Sequence, residues 1–225
     1  MIIEQPPLLY RALFPGARWR IKNKGEKTVY LTFDDGPIPE VTPWVLDTLN
    51  SFDVKGTFFC VGDNARRYPE VLDMVIENGH EIGNHTFNHI QGWQHNNEEF
   101  VNNTNLAKEY IDSKLFRPPH GHMRYNQCRD LQKEGYQIIM WDVVTRDYSK
   151  WMNPEQVFNN VKRYTRDGSI IVFHDSLKAE NNLRYALPKS IEWLLNEGYS
   201  LKTIDNCKMV TKPTAKGISS SVAIF

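Results

Sequence analysis

Two groups of side chains in this 225-residue chain have types and spacing that could do chemistry. The first is Thr32-Phe33-Asp34-Asp35-Gly36-Pro37, two adjacent acids at the end of an apolar run. Carboxylates there are costly unless something pairs with them. Gly36-Pro37 breaks the strand just after them, so both could face one site, although alone the pattern also fits a solvated Asp-Gly turn. The second is His85-Thr86-Phe87-Asn88-His89, inside a stretch (80–95) holding four of the chain's seven histidines. Positions i and i+4 share one face of a helical turn, so both imidazoles could reach one cation. His80 and His95, beside this pair, read as structural and exposed.

Three more ionisable residues follow short apolar runs. Arg117 closes 115–117 and enters Pro118-Pro119-His120-Gly121; Asp147 follows the run ending at Trp141; His174 ends Ile170-Ile171-Val172-Phe173. Singly these are a surface arginine, a loop acid and a core histidine. Together with Asp34, Asp35 and His85, they all follow the C-terminal ends of successive predicted strands. In a parallel barrel those ends share one face, and that face hosts the active site.

The elements that must position them alternate. Strands are predicted at 29–33, 57–61, 81–83, 115–117, 137–141, 169–173 and 200–203, from runs of β-branched and aromatic residues. Helical spacing recurs at 45–52 and 71–76, and helices are expected over 97–113, 125–134, 154–165 and 185–196. Strands separated by helices imply parallel pairing with right-handed crossovers. The expected fold is a single α/β domain, a distorted or incomplete (β/α) barrel of about seven parallel strands, with a doubly wound open sheet as the alternative. Residues 1–27 read as an N-terminal extension packed on the domain, 28–205 as the catalytic domain and 206–225 as a C-terminal tail. A surface anchor through Leu8, Leu9, Leu13 and Phe14 is the other reading of the extension.

Composition limits the function classes. Hydrophobic residues at 40% and charged residues at 24% exclude wholesale disorder. Lys plus Arg equals Asp plus Glu, 27 each, so the basic footprint of a nucleic-acid binder is missing. Cys60, Cys128 and Cys207 lack the pairing of a disulfide framework or a thiolate zinc site and read as reduced structural thiols. No run approaches the roughly 18 apolar residues of a membrane span. The N-terminus has no signal-peptide pattern, so the chain is expected to be cytoplasmic, although a leader already removed would leave the same sequence.

The motifs, in order over residues 28–205, resemble the polysaccharide deacetylases of carbohydrate esterase family 4, relatives of chitin and peptidoglycan deacetylases. Thr32-Phe33-Asp34-Asp35-Gly36 and His85-Thr86-x-x-His89 carry the resemblance most specifically. Arg117-Pro118-Pro119-His120-Gly121, Asp147 and Val172-Phe173-His174 match later motifs more loosely. That family has a distorted (β/α) barrel. The resemblance implies that Asp35, His85 and His89 bind one divalent metal, Zn²⁺ first, with Co, Ni or Fe compatible. It implies metal-activated water attacking an N-acetyl group of an amino-sugar glycan. Asp34 would be the general base, held and kept ionised by Arg117. His174 would be the general acid, oriented by Asp147, and the backbone N–H of His120 would help stabilise the oxyanion.

The sequence departs from the family pattern at several points. Val144 stands where the family has an acid, Tyr148 where it has tryptophan, His120 where Tyr or Phe is common, and Val172 where leucine packs on the acetyl methyl. The His120 ring could instead add a polar or second metal contact. Trp93 and Trp141 could stack on a sugar, with core packing the simpler use of Trp141. Competing readings are hydrolysis of a non-sugar amide by the same machinery, a silent glycan-binding module, and a two-histidine, one-carboxylate Fe(II) oxygenase. The last leaves Asp34, Arg117 and His174 idle.

Overall fold

The computed structural model describes residues 4–205; the expected tail, with Cys207, lies outside the described residues. The strands are β1 (Thr28–Asp34), β2 (Thr57–Cys60), β3 (Glu81–Asn84), β4 (Leu115–Phe116), β5 (Gln137–Ile138), β6 (Val143–Val144), β7 (Ile170–His174) and β8 (Ser200–Leu201). The helices are α1 (Leu8–Ala12), α2 (Thr42–Ser51), α3 (Gly62–Arg67), α4 (Pro69–Glu77), α5 (Asn97–Leu106), α6 (Tyr125–Lys133), α7 (Pro154–Tyr164) and α8 (Glu180–Asn196).

All strand pairs are parallel, in the order β5-β4-β3-β2-β1-β7-β6, and β8 pairs with the start of β1. The sheet curls into a half-barrel with helices packed outside it, the distorted barrel expected from the alternating pattern. β1 is central and all seven of its residues are buried. A strand covered on both faces reads as a continuous apolar run, which is why Val29–Phe33 shows little alternation. Local signals fix several helix starts. Asn96 and Glu99 form a reciprocal capping box on α5, as do Asn153 and Gln156 on α7. Pro43, Pro69 and Pro154 occupy first-turn positions where a missing N–H does no harm.

The register places the chemistry. Asp34 of β1 lies opposite His174 of β7, and Asn84, the residue before His85, opposite Phe116, the residue before Arg117. The functional residues are thereby delivered to one rim by backbone pairing alone.

One expected strand is wrong in detail. Residues 137–141 do not form a single strand: β5 stops at Ile138, and pairing resumes at β6, which the sequence reading missed. The carbonyls of Ile139 and Met140 turn inward to accept the Arg117 guanidinium at 3.2 and 3.1 Å. The helix expected to 113 ends at Leu106 and continues as a short 3₁₀ turn.

The sheet order ends in β5 on one side and β6 on the other, and the N-terminal extension lies across this opening. Arg18 donates to Ile138 O and accepts from Met140 N, both at 2.8 Å, while Ile21 donates to Gly168 O. Such contacts occupy edge groups that would otherwise be free to pair with another chain. Phe14 and Trp19 are buried in the core cluster around Phe116 and Met140, whereas Leu8, Leu9 and Leu13 are exposed.

Asp142, fully buried, ties the extension down. It accepts from Arg11 at 2.6 Å, from Arg166 at 2.8 and 2.7 Å, and from Ser169 at 2.8 Å, with Arg20 at 3.5 Å. Removing a partner of a buried pair leaves uncompensated charge, here partly relieved because the arginines reach water. Asp142→Ala is expected to lower unfolding free energy by about 2–3 kcal/mol, less than the ~3–5 of a wholly buried pair. Denaturant unfolding checks this, and an unchanged midpoint would contradict the anchoring role.

Candidate active site

Asp34 and Asp35 leave β1 in different conformations. Asp34 is still in the strand, 4% exposed, and Asp35 has φ 84°, left-handed for a non-glycine residue. That turn is what brings two adjacent acids to one site instead of opposite sheet faces. The Asp35 carbonyl accepts from Asn64 Nδ2 at 2.8 Å.

His85 and His89 do not share a helical turn, as their spacing had suggested. They lie in the loop after β3, and left-handed residues at Thr86 (φ 63°) and His89 (φ 54°) fold the chain back. Asn84 Oδ1 accepts the Thr86 N–H at 2.8 Å and Thr86 Oγ1 accepts from Ile90 N at 3.2 Å, fastening that loop. The ring centroids of the two histidines are 5.1 Å apart.

These elements bring together Asp35, His85 and His89. Asp35 Oδ1 is 3.1 Å from His89 Nε2 and 3.8 Å from His85 Nε2, and all three donor atoms lie within 4.8 Å of one another. Such spacing suits donors around a cation bonded at about 2.0–2.2 Å. His85 donates from Nδ1 to the Arg117 carbonyl at 2.7 Å, which orients the ring and leaves Nε2 as the inward lone pair. Burial pushes the His85 pKa down to about 4, keeping the imidazole in the neutral form a metal needs. Asp35 is held below the usual carboxylate range: burial opposes this, but the His89 hydrogen bond and the surrounding imidazoles outweigh it. The donor set therefore fits one divalent cation.

Arg117 is fully buried. Its Nη1 donates to Asp34 Oδ1 at 2.6 Å and to Thr32 Oγ1 at 2.8 Å, and its guanidinium lies 4.0 Å from the Phe59 ring centroid. Asp34 Oδ2 is left on the side of His85 Nε2, 4.0 Å away. Across the site, Asp147 grips His174 twice, accepting from its backbone N–H at 2.7 Å and from Nδ1 at 2.8 Å. Burial disfavours the charged ring of His174, but Asp147, with Asp35 and Asp34 beyond it, outweighs burial and raises its pKa to about 9. Asp147 thus favours the protonated form of His174, while burial favours the neutral form of His85.

These groups line one cavity of about 360 Å³, with His120, His122, Trp141, Val144, Tyr148, Val172 and Lys178. Every site residue singled out in the sequence lines it except Arg117 and Asp147, which stand behind Asp34 and His174. Tyr148 meets the His174 ring edge-on at 4.8 Å. His120 (φ 58°) has its ring 4.9 Å from that of His89, and burial lowers its pKa to about 4. Trp93 is not on the cavity wall but stacks on His122 at 4.0 Å. His80 lies at the other end of β3, accepting from Gly56 N at 3.1 Å. A larger hollow of about 550 Å³, lined by Arg18, Tyr30, Lys55 and Lys202, brings no histidine together with an acid among the described residues.

The sequence reading missed His122, Lys178 and Asp175. His122 had a signal, a histidine immediately after the 117–121 motif; Lys178, in the turn before α8, had none. Asp175 was visible only as the neighbour of His174. It is 1% exposed and accepts from Thr42 Oγ1 at 2.6 Å and Gly36 N at 3.1 Å.

Comparison with known proteins shows the family. The polysaccharide deacetylase family profile matches residues 21–139. A peptidoglycan-N-acetylglucosamine deacetylase of Bacillus cereus is 34% identical over 83% of this chain and 90% of its own length. The peptidoglycan-N-acetylmuramic acid deacetylase PdaC of Bacillus subtilis is 30% identical over 83% of this chain, which spans only 40% of that longer protein. The crystal structure of the Bc1960 peptidoglycan N-acetylglucosamine deacetylase superposes with a TM-score of 0.75 at 31% identity, over 84% of this chain and 91% of that one. The chain belongs to the polysaccharide deacetylase family, carbohydrate esterase family 4, and is a hydrolase of that family.

Proposed function

We propose that this protein removes N-acetyl groups from amino sugars of a peptidoglycan-type glycan in a metal-dependent hydrolysis. The observation that carries the reading is the convergence of Asp35, His85 and His89 in one cavity with the carboxyl group of Asp34 and the imidazole of His174. The relatives named for peptidoglycan deacetylation support the glycan as substrate. A divalent cation on those three side chains, Zn²⁺ first by its donor set, would supply a Lewis acid that polarises the acyl carbonyl and acidifies water.

The remaining work falls to the chain. Asp34, fixed by Arg117 through Oδ1, takes the proton of the attacking water with Oδ2. Oxygen adds to the acetyl carbon, and the carbonyl oxygen gains charge. The His120 backbone N–H, beside the cavity that His120 lines, would donate to the developing oxyanion. His174 Nε2, with Nδ1 held by Asp147, protonates the sugar nitrogen as the C–N bond breaks, leaving acetate and a free amine. Val144 and Val172 supply apolar wall for the acetyl methyl, and Val144, though it lacks the usual acid, leaves the Asp147–His174 pair intact.

Acetate release from N-acetylglucosamine oligomers, peptidoglycan fragments and small N-acyl amides, with and without chelator, tests the reading. Activity on the sugars that is lost with chelator and restored by metal is expected; turnover of the amides alone would overturn the glycan assignment. Asp34→Asn is expected to keep its bound metal while kcat falls about 10²–10⁴-fold, the usual worth of an acid–base partner. Near-normal turnover would remove Asp34 from the base role.

The pH profile carries a signed expectation. His174 must be protonated to act, so kcat/KM should fall as pH rises through about 9. Asp147→Asn removes the main charge that raises this pKa, so the alkaline limb should move to lower pH. A limb that stays in place would mean it reports some other group.

A further inference from the structure

Asp175 is a buried acid with no lysine or arginine beside it among the described residues, unlike Asp142 with its arginines. A carboxyl group in such a place is costly, and a packing role alone would be served by an apolar side chain. Its contacts straddle a single residue. The Asp175 N–H donates to Asp34 O at 3.1 Å, and its Oδ1 accepts from Gly36 N at 3.1 Å, so Asp35 lies between two attachments to the same neighbour. Its Oδ2 accepts from Thr42 Oγ1 at 2.6 Å, and Thr42 Oγ1 in turn accepts from Ile38 N at 2.8 Å. Thr42 opens α2, so the whole 36–42 connection is strung on one carboxyl group.

The fit is close. A Cβ at Gly36 would come 1.9 Å from Asp175 Oδ2, so Gly36 is required by the approach of this carboxyl group, not by its own φ. Asp35 at φ 84° is in a region that costs a non-glycine residue about 1–3 kcal/mol and persists only where the surroundings hold it. Because Asp175 follows His174 on β7, the same stretch that presents the imidazolium also grips the turn presenting Asp35.

We propose that Asp175 is a positioning residue that holds the Asp34–Gly36 turn in the shape that presents Asp35 to the cation. The inference rests on Asp35 being a metal ligand. Burial pushes the Asp175 carboxyl up to about 8, against the Thr42 hydrogen bond, so a neutral amide of the same shape is a reasonable replacement.

The test compares wild type, Asp175→Ala and Asp175→Asn by Co²⁺ and Zn²⁺ titration against a competing chelator, with thermal unfolding of the metal-free proteins alongside. Asp175→Ala is expected to weaken the metal Kd by about 10–100-fold, the usual effect of losing an outer-shell partner. Asp175→Asn, whose side-chain oxygen can still accept the Gly36 N–H, should recover most of that loss. A merely structural role would lower the unfolding temperature and leave the Kd unchanged, which overturns the proposal. If Asp175→Ala does not fold, Thr42→Val decides: a weaker Kd supports the clamp and an unchanged Kd overturns it. A wild-type protein that takes up no cation removes the metal reading itself. Tight binding by wild type and Asp175→Ala alike removes only the clamp.

Discussion

A guanidinium sealed inside the barrel organises this protein. Arg117 has no access to water, so each of its donors needs a partner within the fold. Those partners come from far apart in sequence: Thr32 and Asp34 on β1, and the carbonyls of Ile139 and Met140. Its own carbonyl fixes the His85 ring. Deleting one partner of such a buried pair typically costs about 3–5 kcal/mol, so Asp34, His85 and Arg117 are held as one unit. The same requirement ends β5 at Ile138, because the next two carbonyls are already committed to the guanidinium.

Around that fixed centre the rim of the cavity is made of backbone that few residues adopt willingly. Asp35, Thr86, His89 and His120 are all left-handed. Each such residue costs of the order of 1–3 kcal/mol and needs its neighbours to impose it. The neighbours are visible: Asn84 and Thr86 on the histidine loop, Asn64 and Asp175 on the acidic turn. A half-barrel of short parallel strands supplies the rigidity, and the extension over the β5–β6 opening completes it. The proposed site is thus assembled from conformations that would be unfavourable in isolation and are imposed by the fold.

Much of this was legible in the sequence for physical reasons. Buried parallel strands must be apolar along their length, so β1, β2 and β7 stood out, and Asp34 and His174 ending β1 and β7 marked the rim. The alternation of strands and helices pointed to the barrel, with a doubly wound open sheet as the alternative. Legibility failed where tertiary contacts override local pattern. His85 and His89 looked like one helical face, yet left-handed turns bring them together. Residues 137–141 looked like one strand, yet Arg117 and Arg18 compete for its hydrogen-bonding groups. Asp175 carried no local sign of its role, since its partners are Gly36 and Thr42, more than a hundred residues away. Lys178 was unreadable for the same reason: an exposed lysine in a turn has no pattern that tells which cavity it borders.

The central claim is that one divalent cation sits on Asp35, His85 and His89, within reach of Asp34 and His174. Anomalous diffraction at the metal edge, from crystals of the protein grown with Zn²⁺, tests it most directly. The account expects a single strong peak bonded to those three side chains inside the cavity. Crystals showing that pocket without a peak, or with the metal bound elsewhere while Asp35 and the histidines face each other unliganded, would contradict it.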